Sequence, residues 1–243
     1  MRIWDAHCHL GVGRYKKQTL SELLERMDRF GVEKSVVVPV EEYIAVDNRE
    51  GNRLLIDAVE QSRGRLLGFA TANPWFGKQA ETLLEDALKA GLSGVKFNPA
   101  VQGFHLNDPL VEPLIELAEK YGVPVYFHTG TPVSSIPFQL YDLALRYPKV
   151  RFIMGHSGYS DFWNDVPFIA RHSENIWFDT SLSLSSRTQD ILSAVGHDRI
   201  LFGSDSPHSG LPYELSKVRA VQADEQAMEA MLGGNLRKLL GFS

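Results

Sequence analysis

Six side chains in this sequence have types and spacing suited to metal-assisted acid–base chemistry: His7, His9, Lys96, His128, His156 and Asp205. The first two flank Cys8 in the stretch Ile3-Trp4-Asp5-Ala6-His7-Cys8-His9-Leu10, which stops at Gly11. In a β-strand alternate side chains share a face, so His7 and His9 point one way and Cys8 the other. Two imidazoles about 7 Å apart along that face can close on one cation where the strand ends. A His-x-His pair alone also describes two histidines that merely line a strand, so its partners must be found elsewhere in the chain.

The elements that would position those partners follow a regular alternation. Short apolar or β-branched runs read as strands at Ser35–Pro39, Leu66–Ala70, Leu92–Asn98, Val123–His128, Arg151–His156, Ile176–Asp179 and Ile200–Asp205. Between them lie stretches with apolar residues at helical spacing, such as Leu20, Leu23, Leu24, Met27 and Phe30, closed by Gly31. Eight strands, each followed by helix, with no break in composition, match one (β/α)8 TIM barrel; an open doubly wound sheet is the alternative. In such a barrel the active site forms at the C-terminal ends of the strands. There the sequence places His7 and His9, Lys96 and Asn98, His128, His156, Asp179 and Asp205. His7, His9, His128 and Asp205 offer three imidazoles and one carboxylate, a donor set that suits zinc and its neighbours. Strands one and eight adjoin in a closed barrel, so Asp205 would face the His-x-His pair.

Composition bounds the function from outside. The chain has 243 residues, 44% hydrophobic and 23% charged, with a net charge of −5. That balance excludes disorder and argues against a nucleic-acid binder, which needs a basic face. A small anionic substrate is compatible with it, because site charge and net charge are independent. The single cysteine, Cys8, rules out an internal disulfide. Neither a signal-peptide core nor a membrane-length apolar run is seen, so a cytoplasmic protein acting on a small molecule, without membrane or nucleic acid as partner, is the expectation. A homodimer is compatible with all of this.

The combination Asp5-Ala6-His7-Cys8-His9, Gly94-Val95-Lys96-Phe97, Phe127-His128-Thr129-Gly130, Gly155-His156-Ser157-Gly158 and Phe202-Gly203-Ser204-Asp205-Ser206-Pro207 resembles the amidohydrolase superfamily. More narrowly it is similar to the amidohydrolase-related branch that includes aminocarboxymuconate-semialdehyde decarboxylase, as is the terminal Gly233-Gly234-Asn235-Leu236-Arg237-Lys238-Leu239-Leu240-Gly241. The resemblance spans nearly the whole chain and implies one barrel domain over residues 1–243. It implies that His7, His9, His128 and Asp205 bind a divalent metal, zinc foremost with manganese as the alternative. It also implies that Asp205 is the general base and that His156 is a base, an electrostatic partner or a further ligand. One metal per chain is expected, or two if Lys96 is carboxylated and bridges them; otherwise Lys96 holds a substrate carboxylate as a point charge.

Asn98 and His105 are expected to contact substrate, Asp179 to orient a histidine, and His208 to reach the pocket rim. His172 and His197 read as surface residues, and Cys8 as a small packed hydrophobe. Trp75, Phe76, Phe104, Phe162 and Trp163 are candidates for an apolar pocket wall. The expected reaction is hydrolysis of a small amide, ester or lactone; non-oxidative decarboxylation of a small unsaturated or aromatic acid by the same residues is the alternative. A non-catalytic binding module would lack ligands that this chain has. A nuclease or phosphatase of related type would favour a Glu at the position of Lys96.

Overall fold

In a computed structural model that describes residues 1–159 and 162–242, the strand–helix alternation is realised as a curled, mostly parallel sheet. Its strands are β1 (Ile3–Val12), β2 (Lys17–Gln18), β3 (Val32–Pro39), β4 (Leu66–Ala70), β5 (Gly94–Phe97), β6 (Val125–His128), β7 (Phe152–Gly155), β8 (Ile176–Asp179) and β9 (Ile200–Leu201). The helices are α1 (Leu20–Phe30), α2 (Glu41–Ala45), α3 (Asn48–Gln61), α4 (Lys78–Lys89), α5 (Pro99–Gln102) and α6 (Glu112–Tyr121). They continue with α7 (Pro137–Arg146), α8 (Val166–His172), α9 (Ser185–Val195), α10 (Leu211–Arg219), α11 (Glu225–Glu229) and α12 (Asn235–Leu239). Local chemistry sets the boundaries. α1 opens on a capping box, in which Thr19 and Glu22 each bond the other's backbone, and it closes on left-handed Gly31.

Apart from the hairpin strand β2, each strand pairs in parallel with the next, in the order β2-β1-β3-β4-β5-β6-β7-β8-β9. The two ends of the sheet also meet. The Ala6 amide donates to the Phe202 carbonyl at 2.8 Å and the His9 amide to the Ser206 carbonyl at 2.7 Å. Apolar side chains form two clusters. The larger lies between sheet and helices and contains Leu23, Leu84, Ile115, Leu143 and Ile169. The smaller draws Trp4, Ala6, Val36, Val38, Phe69, Tyr126, Ile153, Trp177 and Leu201 from nearly every strand, so it fills the inside of the curl. Leu236 and Leu239 of α12 join it and close the end where the strands begin. Gly233 lets this segment approach, because a Cβ there would collide with the Arg2 carbonyl.

Three details differ from the sequence reading. The last strand is shorter than Ile200–Asp205, because the Phe202 amide turns to the Met231 carbonyl and Asp205 adopts a positive φ of 48°. The first strand runs past Gly11 to Val12 and folds back as the hairpin to β2. Pro99 starts the short helix α5, its missing N–H being no loss at a first helical turn. Among the described residues no helix is long and apolar enough to cross a membrane.

Candidate active site

A bulge in β1 brings the two histidines to the site. Asp5 pairs with Ser35 and Cys8 with Val37, so β1 takes three steps where β3 takes two. Trp4 and Ala6 face the inside of the curl, and strict alternation would send His7 to the outside with Asp5. The extra residue resets the alternation. His7 and His9 then line a cavity of about 550 Å³, while Cys8 returns to the outer core with its thiol donating to the Val36 carbonyl. Asp5 holds the bulge against the chain after β9. Its carboxylate accepts from the amides of His7 (3.0 Å) and Ser204 (2.8 Å) and from the Ser204 hydroxyl (2.6 Å).

The other polar groups converge from neighbouring strands. Asp205 Oδ1 lies 3.1 Å from His9 Nε2 and 3.7 Å from His7 Nδ1. His156 Nε2 is 3.1 Å from His128 Nδ1, and Lys96 Nζ is 3.4 Å from His7 Nε2. His9 Nδ1 donates to the Pro39 carbonyl at 3.0 Å, which leaves Nε2 to face Asp205. His156 (φ 61°), Ser157 (φ 47°) and Asp205 (φ 48°) all sit in the left-handed region. Strain of this kind persists where the surroundings over-determine a conformation, as at functional sites.

Burial dominates the electrostatics. It lowers His7 well below the ordinary histidine value, with the Lys96 charge adding to the effect. His128 is lowered by burial and by His156, and His156 mainly by burial. These rings are neutral near pH 7, the form in which imidazole ligates a metal. Lys96 drops to about 7 through burial, partly offset by Asp205 and Asp179. Burial would push Asp205 upward, but the hydrogen bond from His9 and the nearby histidines hold it well below the usual carboxylate range. Asp5, by contrast, is raised by burial to about 7.

Most of the residues singled out in the sequence line the cavity: His7, His9, Lys96, Asn98, His128, His156, Asp205 and, at its rim, His208. His105 does not. It is exposed, and its Nδ1 donates to the Val133 carbonyl at 3.0 Å, because the chain after α5 turns outward. Lys96 lies deeper in the sheet than His128. Its register partner is Tyr126, one layer deeper, and Nζ sits 3.8 Å above the Tyr126 ring. The expected aromatic wall also differs. Trp75 and Phe76 are exposed, Phe104 packs on Phe97 in the outer core, and Trp163 lines a neighbouring cavity. The main cavity is bordered instead by Tyr15, Tyr159 and Leu182. His172 is exposed and stacks on Phe168.

Several contributors escaped the sequence reading. Lys16, from the β1–β2 hairpin, places Nζ 3.4 Å from His9 Nε2 and 2.5 Å from Glu41 Oε1. Nothing in the sequence ties that hairpin to the site. Tyr126 had a visible signal, since it lies two residues before His128 on the same strand face. Its hydroxyl donates to Asp179 Oδ2 at 2.7 Å and lies 2.8 Å from His7 Nδ1. Ser181, two residues beyond Asp179, places its hydroxyl 2.8 Å from His156 Nδ1.

Residues 4–242 match the family model described as amidohydrolase. The chain belongs to the amidohydrolase family. Among solved structures it is similar over its full length to a Staphylococcus aureus protein provisionally described as an amidohydrolase, with 19% identity, a TM-score of 0.83 and 100% of each chain covered. It is also similar to 5-carboxyvanillate decarboxylase from Sphingomonas paucimobilis, with 15% identity, a TM-score of 0.79 and coverage of 100% and 99%. A third is dihydroxybenzoic acid decarboxylase from Polaromonas, solved with manganese and 2-nitroresorcinol, with 17% identity, a TM-score of 0.79 and coverage of 99% and 97%. At these identities the likeness establishes the fold.

The amidohydrolase site fits a divalent metal on its own chemistry. His7, His156 and Asp205 each offer a ligand atom, all within 4.8 Å of one another and all buried. Two neutral imidazoles and a carboxylate held in its charged form are an apt donor set. His9 adjoins it through Asp205, and His128 adjoins it through His156.

Proposed function

We propose that this amidohydrolase-family protein is a metal-dependent decarboxylase of a small hydroxylated aromatic or unsaturated carboxylic acid. The observation that carries the reading is Lys96, buried in the cavity wall with Nζ 3.4 Å from His7 Nε2. An ammonium there recognises a carboxylate as a point charge, beside the group that moves the proton. Asn98, whose buried Oδ1 has no partner among the described residues, supplies an amide for a second polar group of the substrate. The similarity to structures named as decarboxylases of carboxyvanillate and dihydroxybenzoate supports the same reading. We read the curled sheet as a (β/α)8 barrel, which the Ala6–Phe202 and His9–Ser206 hydrogen bonds support.

His7, His156 and Asp205, with His9 and His128 alongside, are the residues that would hold the metal. When bound, it supplies positive charge that binds and polarises substrate oxygens. Manganese is the first metal to test, since it is named in a similar structure; zinc is the alternative that an imidazole-rich set also accepts. Asp205, a carboxylate at neutral pH, takes the proton of the substrate hydroxyl and delivers it to the carbon that bears the carboxylate. The bond from that carbon to the carboxylate then breaks, its electron pair restores the ring double bond, and carbon dioxide leaves. Lys96 orients the departing carboxylate, and His156 is placed to share the proton with Asp205.

Hydrolysis of a small amide, ester or lactone is the second reading, in which Asp205 would take its proton from water. Incubating the manganese-loaded protein with a panel of hydroxybenzoates and lactones, with carbon dioxide and products measured, separates the two. Carbon dioxide with the matching phenol is expected. A new carboxylate from a lactone, with no carbon dioxide from any acid, would overturn the decarboxylase reading.

A further inference from the structure

The buried groups behind the histidines form a fork centred on Asp179. Four donors reach its carboxylate: the Tyr126 hydroxyl (2.7 Å), the His156 amide (3.1 Å), the Ser181 amide (3.1 Å) and the Ser181 hydroxyl. A hydroxyl has one proton. Because Tyr126 and Ser181 spend theirs on Asp179, each turns only lone pairs towards its histidine. His7 Nδ1 lies 2.8 Å from the Tyr126 oxygen, and His156 Nδ1 lies 2.8 Å from the Ser181 hydroxyl oxygen. His156 Nδ1 also sits 3.3 Å from the Ser181 carbonyl, which can only accept.

We infer that Asp179, acting through Tyr126 and Ser181, sets the tautomers of His7 and His156, so that both rings carry their proton on Nδ1 and keep Nε2 as a lone pair. Tyr126 and Ser181 are positioning residues: they fix which nitrogen can ligate, and they touch neither substrate nor metal. The far side of each ring agrees. His7 Nε2 faces the Lys96 ammonium at 3.4 Å, and His156 Nε2 faces His128 Nδ1 at 3.1 Å, both able to donate. His9 also carries a proton on Nδ1 by a separate route, through the Pro39 carbonyl, while its Nε2 faces the Asp205 carboxylate.

Two glycines clear space for the fork. A Cβ on Gly155 would lie 2.6 Å from the Tyr126 oxygen, and one on Gly203 would collide with Asp179 Oδ1. Both glycines stand immediately before or within the strand-end motifs, so their smallness serves the residues that aim the ligands as well as the turns.

The inference rests on the metal-site reading only for its affinity arm, and on neither proposed reaction. The test uses the full chain, metal-free and labelled with 15N-histidine, with signals assigned from His7→Gln and His156→Gln. Long-range 1H–15N spectra should show both rings protonated on Nδ1. Tyr126→Phe should shift the His7 tautomer more than that of His156, and Ser181→Ala the reverse, since the Ser181 hydroxyl also lies 3.4 Å from His7 Nδ1 and the Ser181 carbonyl stays beside His156. Ser181→Thr, which keeps the hydroxyl, should restore His156. Binding of Mn2+, read by titration calorimetry, should weaken about 10–100-fold in Tyr126→Phe and in Ser181→Ala. An Nε2-protonated ring in the wild type would overturn the inference, and so would tautomers that ignore both variants. Because the spectra need neither metal nor substrate, failure of the decarboxylase reading would leave this result standing.

Discussion

Within three residues of β1 the inside of the sheet changes character. Trp4 and Ala6 belong to an apolar cluster sealed by Leu236 and Leu239, whereas His7 and His9 belong to a polar cavity shared with Lys96 and Asp205. The two ends of the same strands obey different rules. At the closed end only volume and apolarity matter, and neighbours can share the loss of a methylene. At the open end each donor must meet an acceptor, because an unmet buried polar group costs about as much as a lost hydrogen bond returns, or more. Stability is therefore concentrated at one end and chemistry at the other.

The largest effect is expected from Asp205→Asn. It should lower turnover by about 10²–10⁴-fold, the usual worth of a positioned acid–base group, and strip the metal, with elemental analysis and steady-state rates as the readout. The closed end should respond in the opposite way. Leu236→Ala should cost about 2–5 kcal/mol in urea unfolding and keep its metal per chain, since Leu236 is buried in the apolar cluster and does not line the cavity. If Leu236→Ala lost metal while still folded, the separation of the two ends would fail.

Cys8→Ala sharpens the comparison across the thickness of the sheet. Cys8 lies between two candidate ligands in sequence but packs in the outer core, so the substitution should cost about 1 kcal/mol and leave metal content intact. Loss of metal would mean that the bulge does not turn Cys8 outward. The smallest effect belongs to the solvent-facing helices. Hydrogen bonds from Lys120, Tyr121 and Lys89 hold Glu85 down to about 2, against an ordinary value of 4.5. A depressed carboxylate stabilises the fold above its unfolded value and loses that contribution as pH falls from about 4.5 towards 2. Glu85→Gln should therefore lose a small stabilisation at neutral pH and flatten the pH dependence in that window, the two proteins converging towards pH 2, as urea unfolding followed by circular dichroism at a series of pH values would show.

Much of the fold was legible because parallel α/β proteins repeat their signal: buried strands read as short apolar runs, and helices as a 3.6-residue stripe closed by glycine. His128 ends β6 and His156 follows β7 directly, as the same periodicity predicts, whereas Asp205 stands four residues past β9. His105 failed because it lies on a connection, where periodicity carries no information about direction. Lys16 was missed for the same reason: it reaches His9 from a hairpin whose fold-back depends on tertiary contacts.

By itself the sequence determined which residues stand at the mouth of the sheet and that Cys8 opposes its neighbours, since both depend only on the two-residue period of a strand. The tertiary structure alone decided that His7 faces inward at all. That outcome needs the bulge at Ala6–His7, which Asp5 holds to Ser204 some 200 residues away in the chain. It also decided which nitrogen each ring offers. A tautomer is chosen by the acceptors around it, and Asp179, Tyr126 and Ser181 come from two different strands and the turn that follows one of them, so they meet His7 and His156 only once the sheet has curled.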